Sequence, residues 1–283
     1  MDGLSDPLVS TAWLAERLGD PTVLVLDGSW WMPAENREPH TEYLEAHIPG
    51  AAVFDIDAIA DHTVDLPHML PTPEAFAQAA GRLGLSRDAT IVAYDTFGIR
   101  AAARVWWTLR TMGFKKVFVL DGGLKAWRAE GRPVETGDVV PVVATVAADF
   151  RPALVRSLDD VSGLIASKAA QIVDARGGAR FRAEVPEPRA GLRSGHMPGA
   201  CNVPFDTLLD AGGHMKTAAE IGAIFQAAGL DLAQPIVTTC GSGITASVLA
   251  LALARLGRED VAVYDGSWTE WGGRADTAVV TGA

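Results

Sequence analysis

The feature that most constrains this chain is an internal repeat. The segment His47-Ile-Pro-Gly-Ala51 of the first half returns in the second half as His196-Met-Pro-Gly-Ala200. The stretches 72–85 and 217–230 also match, and the matched segments follow one another in the same order. Repeats of this length fix an architecture, because each copy must fold as the same unit. The sequence therefore predicts two copies of one domain.

The two copies are expected to meet between residues 131 and 151, where glycines and prolines interrupt the helical periodicity. The predicted domains are accordingly residues 1–140 and 141–283. Apolar patterns over 8–18 and 154–165 predict that each copy begins with a helix.

Each copy alternates short β-branched runs with helical patterns. Strands that are separated by helices imply a mainly parallel sheet with helices on both faces. The predicted fold class is therefore α/β, in two tandem domains. The predicted strands cover residues 23–26, 90–94 and 117–120 in the first copy, and 171–173, 236–239 and 261–264 in the second.

Composition excludes several classes of protein. With 283 residues, 48% of them hydrophobic and 21% charged, the chain has the composition of a soluble globular protein. The formal net charge of −11 argues against a nucleic-acid or anionic-membrane partner. The first twenty residues lack a basic secretory n-region, and apolar runs fall short of the roughly 18 residues of a membrane span. We therefore expect a cytoplasmic protein.

The two cysteines, Cys201 and Cys240, are too few for a disulfide framework or a metal site. Both are expected to be free thiols, and no metal or cofactor is predicted.

Cys240 lies between a predicted buried strand and a run of helix formers over 246–256. A thiol in this position faces the unpaired N–H groups of the following helix, an environment that stabilises an anionic sulfur. Gly241 and Gly243 permit positive φ, so that successive amides can form an anion cradle. Cys240 is therefore the candidate nucleophile. The alternative is that it is a small core residue.

The two copies differ at this loop. Aligned on Gly98 and Gly243, the first copy carries Asp95 where the second carries Cys240. A carboxylate cannot carry sulfur, and it repels anionic substrates from the cradle. The first copy is therefore predicted to be catalytically silent.

The loop after the first predicted strand of the second copy is rich in arginine, and it includes Arg180 and Arg189. Arginine forks bind carboxylates bidentately, so this loop could hold the acid end of a small substrate. The alternative is a solvated loop whose arginines pair with its own Glu184 and Glu187.

Three histidines are candidates for catalysis. His68 lies in the proline-bracketed segment 66–71, downstream of Asp57, and by itself such a histidine is more often structural. His47 and His196 precede a Pro-Gly turn in both copies, and are therefore predicted to be structural.

These motifs resemble the rhodanese superfamily, and within it the two-domain branch that acts on 3-mercaptopyruvate. The signatures are Tyr43-Leu-Glu-Ala-His-Ile-Pro-Gly-Ala51, Val261-Ala-Val-Tyr-Asp-Gly-Ser-Trp-Thr-Glu-Trp271, and the loop Cys240-Gly-Ser-Gly-Ile-Thr-Ala246. The resemblance covers nearly the whole chain and implies two rhodanese-like domains. It also implies that sulfur from 3-mercaptopyruvate passes through a cysteine persulfide to a thiol or cyanide, with release of pyruvate. A thioredoxin-like protein is one candidate acceptor.

The resemblance also implies roles for individual residues. Cys240 corresponds to the nucleophile, and Arg180 and Arg189 to the residues that bind the substrate carboxylate. The residues that correspond to the amide cradle are Gly241, Ser242, Gly243, Ile244 and Thr245. Ser242 also corresponds, together with His68 and Asp57, to a proposed proton relay. Cys201 stands where the family usually has an aliphatic residue, and is expected to be buried and inert.

Three other functions are compatible with a cysteine loop on this fold or with a sulfur-bearing cysteine. Phosphatases on this fold need an arginine six residues after the thiol, where this chain has Ala246. The other rivals are a thiosulfate sulfurtransferase and a non-catalytic sulfur carrier. Basic residues directly after the cysteine suit thiosulfate, and here those positions are Gly241 and Ser242.

Overall fold

The computed structural model describes residues 6–282, so that residue 283 and residues 1–5 of the predicted domains lie outside the described chain. Two compact units account for it. The first unit contains residues up to 61, 70–151 and 209–215, and the second contains 62–69, 152–208 and 216 onward. Each unit thus includes a short segment from the other half of the chain. A division of the repeat at residue 140 stays a prediction.

Each unit contains a five-stranded sheet whose neighbouring strands are all parallel. The strand order is β1-β5-β4-β2-β3 in the first unit and β6-β10-β9-β7-β8 in the second. The order is the same when the strands of each unit are counted from its beginning, which confirms the predicted α/β class and the repeat. The strands are β1 (Leu8–Val9), β2 (Val23–Asp27), β3 (Ala52–Val53), β4 (Thr90–Tyr94), β5 (Val117–Leu120), β6 (Val155–Arg156), β7 (Gln171–Asp174), β8 (Cys201–Asn202), β9 (Ile236–Thr239) and β10 (Ala262–Tyr264).

Ten α-helices alternate with these strands in the described part of the chain. They are α1 (Thr11–Ala15), α2 (Pro39–Glu45), α3 (Pro73–Arg82), α4 (Ala102–Thr111), α5 (Gly123–Ala129), α6 (Leu158–Ser167), α7 (Gly178–Phe181), α8 (Ala218–Ala227), α9 (Ile244–Arg255) and α10 (Ser267–Gly273). Among residues 6–282, none of them has both the length and the apolar character that a membrane crossing requires.

Local sequence explains where the repeated helices begin. Helices α3 and α8 start after Thr72 and Thr217, whose hydroxyls accept hydrogen bonds from the amides three residues later. Threonine at this N-cap position satisfies an amide that has no partner inside the helix. The corresponding helices of the two units therefore start at matching positions.

The prediction that each copy begins with a helix was wrong at its first residues. Leu8–Val9 and Val155–Arg156 are edge strands, and the helices start only at Thr11 and Leu158. A two-residue strand is too short to produce an alternating pattern, so it merges with the apolar pattern of the helix that follows.

Strand β9 lies in the middle of the sheet of the second unit, and all four of its residues are buried. Helix α9 packs beside it and is itself buried along ten of its twelve residues. One apolar cluster of this core consists of Val161, Ile172, Met197, Val237, Tyr264, Trp268 and Trp271. Rigid elements therefore flank the loop between β9 and α9.

Candidate active site

Cys240 lies directly after the central strand β9 and four residues before α9 begins. Its side chain is buried, with 2% of the residue exposed. In a parallel α/β sheet, ligand sites form at the carboxyl ends of strands, where neighbouring connections leave in opposite directions. The connection after β7 leads to the edge strand β8, whereas the connection after β9 leads to β10 on the other side. Cys240 therefore lies at this switch point.

The start of α10 holds the cysteine loop in place. The backbone N–H of Cys240 donates to Ser267 Oγ (3.2 Å), and its carbonyl accepts from Trp268 N (2.9 Å). The carbonyl of Gly241 accepts from both the amide and the hydroxyl of Thr269, at 2.8 and 2.6 Å. These bonds fix the peptide groups on either side of the sulfur-bearing residue.

The two loop glycines have different roles. Gly243 forms the N-cap of α9 with φ of 83°. This left-handed conformation favours glycine, because glycine has no Cβ. The expectation that Gly241 is also available for positive φ is not realised, since its φ lies outside that region. Its small size has another consequence, because a Cβ built there would lie 3.4 Å from Arg180 Nη2 and 3.9 Å from Arg189 Nη1.

The two predicted carboxylate-binding arginines therefore lie beside the cysteine loop. The residues Asp174 and Thr239 pair in register where β7 and β9 end, so the arginine-rich loop and the cysteine loop leave the sheet side by side. The alternative of a solvated loop describes only part of it. Arg182 pairs with Glu184 at the surface, whereas Arg180 pairs with the buried Glu187.

Three charged side chains link Arg180 to the end of strand β7. Asp174 pairs with Arg176, Arg176 pairs with Glu187, and Glu187 pairs with Arg180. Burial opposes the charge on Arg176, but the two adjacent carboxylates outweigh it, and the pKa of this guanidinium is raised. Arg176 also lies over the ring of Trp268, with Cζ 4.2 Å from the ring centroid.

His68 and Ser242 meet in the second unit. The imidazole Nδ1 lies 3.0 Å from Ser242 Oγ, and both residues are buried. His68 has φ of 62°, in a region that few residues other than glycine adopt. Strained backbone of this kind persists where the surroundings impose it, and it clusters at functional sites. A catalytic role for His68 stays a prediction.

Asp57 belongs to the first unit. Its carboxylate is exposed and accepts a hydrogen bond from Trp30 Nε1 at 2.9 Å. The predicted pairing of Asp57 with His68 stays a prediction.

The remaining predicted cradle residues lie at the start of α9. Ile244 is its first residue and has a buried side chain, so it could contribute to an anion site only through its backbone. Thr245 is half-buried one residue later.

The matching loop of the first unit shows what the cradle can hold. Asp95 Oδ1 accepts from the amides of Phe97 and Gly98, both at 2.9 Å. Its Oδ2 accepts from the amides of Arg100 and Ala102, both at 2.8 Å. The carboxylate therefore occupies the cradle of its own loop, which has the geometry of an anion site built from backbone N–H groups.

Cys201 differs from Cys240. It lies half-buried in β8, and burial raises the pKa of its thiol to about 11. A thiol with so high a pKa is almost entirely protonated at neutral pH, and is therefore a poor nucleophile.

His47 and His196 occupy equivalent structural positions. The Nδ1 atoms lie 2.8 Å from the carbonyl of Tyr43 and 2.9 Å from that of Phe181. Each ring also stacks on the side chain of the same partner. These contacts agree with the structural role predicted for both residues.

Sequence reasoning missed the residues that support the site. From the sequence, Glu187 is only a residue that could neutralise neighbouring arginines, and Ser267 and Thr269 are only parts of a motif. A single glutamate between two prolines, within an arginine-rich loop, is the one signal that could have indicated Glu187.

Comparison with known proteins identifies the family. Residues 10–130 and 157–274 each match the rhodanese-like domain. The chain belongs to the rhodanese family. Both members of the tandem pair, including the copy with Asp95 in place of the cysteine, are therefore rhodanese-like domains.

Full-length relatives of this rhodanese chain carry related names. The 3-mercaptopyruvate sulfurtransferase of Escherichia coli K12 is 47% identical over 272 residues, which cover 96% of each chain. The human protein of the same name is 44% identical and covers 95% of this chain and 92% of its own. The rat thiosulfate sulfurtransferase is 43% identical with the same coverage. The crystal structure of SseA from Escherichia coli, which its title describes as a 3-mercaptopyruvate sulfotransferase, has a TM-score of 0.86 at 44% identity and covers 93% of this chain and 99% of its own.

Proposed function

We propose that this protein is a 3-mercaptopyruvate sulfurtransferase in which Cys240 carries the sulfur. The observation that carries the proposal is the position of Arg180 and Arg189, whose guanidinium groups lie within 4 Å of the Cβ position of Gly241, the residue after the thiol. Two cations beside a nucleophile suit a small donor with a carboxylate. The relatives of that name, at 44% and 47% identity over nearly the full chain, support the same donor.

The proposed first half-reaction is sulfur transfer to the enzyme. The Cys240 thiolate attacks the sulfur of 3-mercaptopyruvate, the bond between that sulfur and C3 breaks, and its electron pair remains on C3 as the enolate of pyruvate. The enolate takes up a proton and leaves as pyruvate. In the second half-reaction, an acceptor thiolate or cyanide attacks the outer sulfur and the Cys240 thiolate is regenerated.

The proton in this scheme comes from His68 and Ser242. Their 3.0 Å contact lets a proton pass from the imidazole through the hydroxyl, and Ser242 is two residues from Cys240. Asp57 is assigned the role of orienting His68, as the family resemblance implies.

The proposed cradle for the anionic sulfur is formed by Gly241, Ser242, Gly243, Ile244 and Thr245. The first unit supports this proposal, because the carboxylate of Asp95 accepts hydrogen bonds from four backbone amides of the matching loop. The same observation supports a catalytically silent first unit, since a carboxylate already fills that loop.

The experiment that tests the function is pyruvate release from 3-mercaptopyruvate in the presence of cyanide or a thiol. We expect kcat/KM to exceed that for thiosulfate by at least about tenfold, which corresponds to about 1.4 kcal/mol. Failure to release pyruvate would contradict the proposal.

Thiosulfate is the second candidate donor. The rat relative named thiosulfate sulfurtransferase, and an Arabidopsis relative named for both donors, favour it. A preference for thiosulfate in the same assay would select this alternative. A persulfide that is formed but never turned over with small acceptors would select the sulfur carrier.

The physiological acceptor and location are further proposals. A thioredoxin-like protein is one candidate acceptor, testable by its oxidation during turnover. A cytoplasmic location is testable by cell fractionation, and is not shared by the Arabidopsis relative whose name includes the word mitochondrial.

A further inference from the structure

The buried carboxylate of Glu187 has no role in the mechanism above. Its side chain is 1% exposed, yet it is ionically paired on both sides, with Arg176 Nη1 at 2.8 Å and with Arg180 through a bidentate contact. A buried carboxylate is costly unless it is fully paired. Both arginine partners are therefore needed to keep Glu187 ionised in its buried position.

Arg176 is held in place by several hydrogen bonds besides its contact with Glu187. Its Nε and Nη2 atoms donate to Asp174 at the end of β7, at distances between 2.6 and 3.1 Å. Nη2 also donates to the carbonyl of Gly195 at 2.8 Å. The carboxylate of Glu187 is therefore attached to a fixed point of the sheet.

Arg180 is the more exposed partner, and it has fewer hydrogen bonds that hold it than Arg176 has. Its side chain is 26% exposed, compared with 1% for Arg176. Glu187 occupies the edge of the guanidinium formed by Nε and Nη2, which leaves the edge formed by Nη1 and Nη2 for another anion. Nη2 is also the atom that lies 3.4 Å from the Cβ position of Gly241. The orientation of this remaining edge is set by Glu187.

We propose that Glu187 is a positioning residue, which fixes Arg180 so that its open edge receives the carboxylate of the sulfur donor beside Cys240. The inference rests on the proposed function and deepens it. Glu187 does not touch the donor. Its contacts with Arg176, which is bonded to Asp174 at the end of β7, hold Arg180 in one conformation. Without Glu187, the side chain of Arg180 would sample several rotamers.

The test is the variant Glu187→Gln, which keeps the shape but replaces one acceptor oxygen by an NH₂ group that faces a guanidinium. Because Arg176 is locked, Arg180 is the group that must move away. KM for 3-mercaptopyruvate should rise about tenfold, with a small change in kcat, as expected for lost donor binding. Glu187→Asp should restore part of the loss. The matched control is Glu184→Gln, which removes the surface partner of Arg182 and should leave KM unchanged.

A second donor separates positioning from general damage. Mercaptoacetone has a methyl group in place of the carboxylate, so its kcat/KM should be the same in Glu187→Gln and in the wild type. Transfer of sulfur from the preformed persulfide to cyanide should also be unchanged. An equal loss with both donors, or an unchanged or lower KM for 3-mercaptopyruvate, would overturn the inference. A wild-type enzyme that releases no pyruvate would instead overturn the proposed function.

Discussion

The imidazole Nδ1 of His68 lies 3.0 Å from the hydroxyl of Ser242, although 174 residues separate them in the chain. His68 adopts positive φ, and its short segment 62–69 packs with the unit that contains the cysteine loop rather than with the sequence that flanks it. Repetition of a domain does not explain such a contact. It joins a side chain of the first sequence copy to the loop that carries the thiol.

We expect His68→Ala to slow pyruvate release by about 10²- to 10⁴-fold, the usual contribution of a positioned acid or base. The enolate left on C3 would then depend on solvent for its proton. Stopped-flow measurement of each half-reaction checks this, because transfer from preformed persulfide to cyanide needs no such proton and should be nearly unchanged. Ser242→Ala should show the same selectivity. Equal slowing of both half-reactions would mean that the contact is structural.

Sulfur loading should depend on Cys240 and not on Cys201. Incubation with 3-mercaptopyruvate followed by intact mass spectrometry should add one sulfur atom to the wild type and to Cys201→Ser, and none to Cys240→Ser. The physical reason is that burial raises the pKa of Cys201 to about 11, so its reactive thiolate is scarce at neutral pH. A loaded Cys240→Ser variant would contradict the assignment.

Sequence alone predicted the elements that have strong local signals. The repeat indicated two units with the same topology, and the β-branched run before Cys240 predicted β9, because β-branched residues favour strands. The anion cradle at Cys240, inferred from a thiol between a strand and a helix, stays a prediction.

The features that sequence did not predict depend on long-range pairing. Edge strands of two residues, such as Leu8–Val9, are defined by their partner strand and not by their own pattern. The role of Glu187 depends on Arg176 being locked to Asp174, which no spacing reveals. The assignment of residues 62–69 to the second unit is likewise a property of the folded chain.

Arg180→Ala and Arg189→Ala should each lower kcat/KM for 3-mercaptopyruvate about ten- to a hundredfold, the loss of a charge-assisted hydrogen bond of roughly 1.5–3 kcal/mol. Steady-state kinetics check this. The matched control is Arg182→Ala, from the same loop, whose partner Glu184 lies at the surface and whose loss should have little effect. If both site variants keep the wild-type kcat/KM, these arginines do not bind the donor.

Gly241→Ala should weaken the binding of the donor to Arg180 and Arg189. The added Cβ would lie 3.4 Å from Arg180 Nη2 and 3.9 Å from Arg189 Nη1, in van der Waals contact with both guanidinium groups, so that the methyl group occupies space between the cysteine loop and the two arginines. We expect a severalfold rise in KM with little change in thermal stability, because φ of residue 241 is accessible to alanine. Steady-state kinetics and calorimetry on the same sample check both parts. A fall in the melting temperature with unchanged KM would show that the glycine serves the fold only.

Asp27 at the end of β2 and Asp174 at the end of β7 occupy matching positions in the two units. Both are buried, and each accepts a hydrogen bond from the amide two residues later. Asp174 is paired with Arg176, whereas the first unit has Ser29 at that position. Burial raises the pKa of Asp27, and the hydrogen bonds from Ser29 offset this only in part.

A carboxyl group whose pKa is raised by folding stabilises the folded state when it is protonated, and this stability is lost as the pH rises from the ordinary value of 3.8 through the folded pKa. We therefore expect Asp27→Asn to raise the melting temperature of the protein at neutral pH, with a gain that shrinks as the pH falls toward 4. Asp174→Asn should do the opposite at neutral pH, because the buried Arg176 keeps Glu187 but loses the charge of its second carboxylate, at a cost of about 1.5–3 kcal/mol. Scanning calorimetry over this pH range measures both. A loss of stability in Asp27→Asn at neutral pH would show that the ionised carboxylate is stabilised by its surroundings after all.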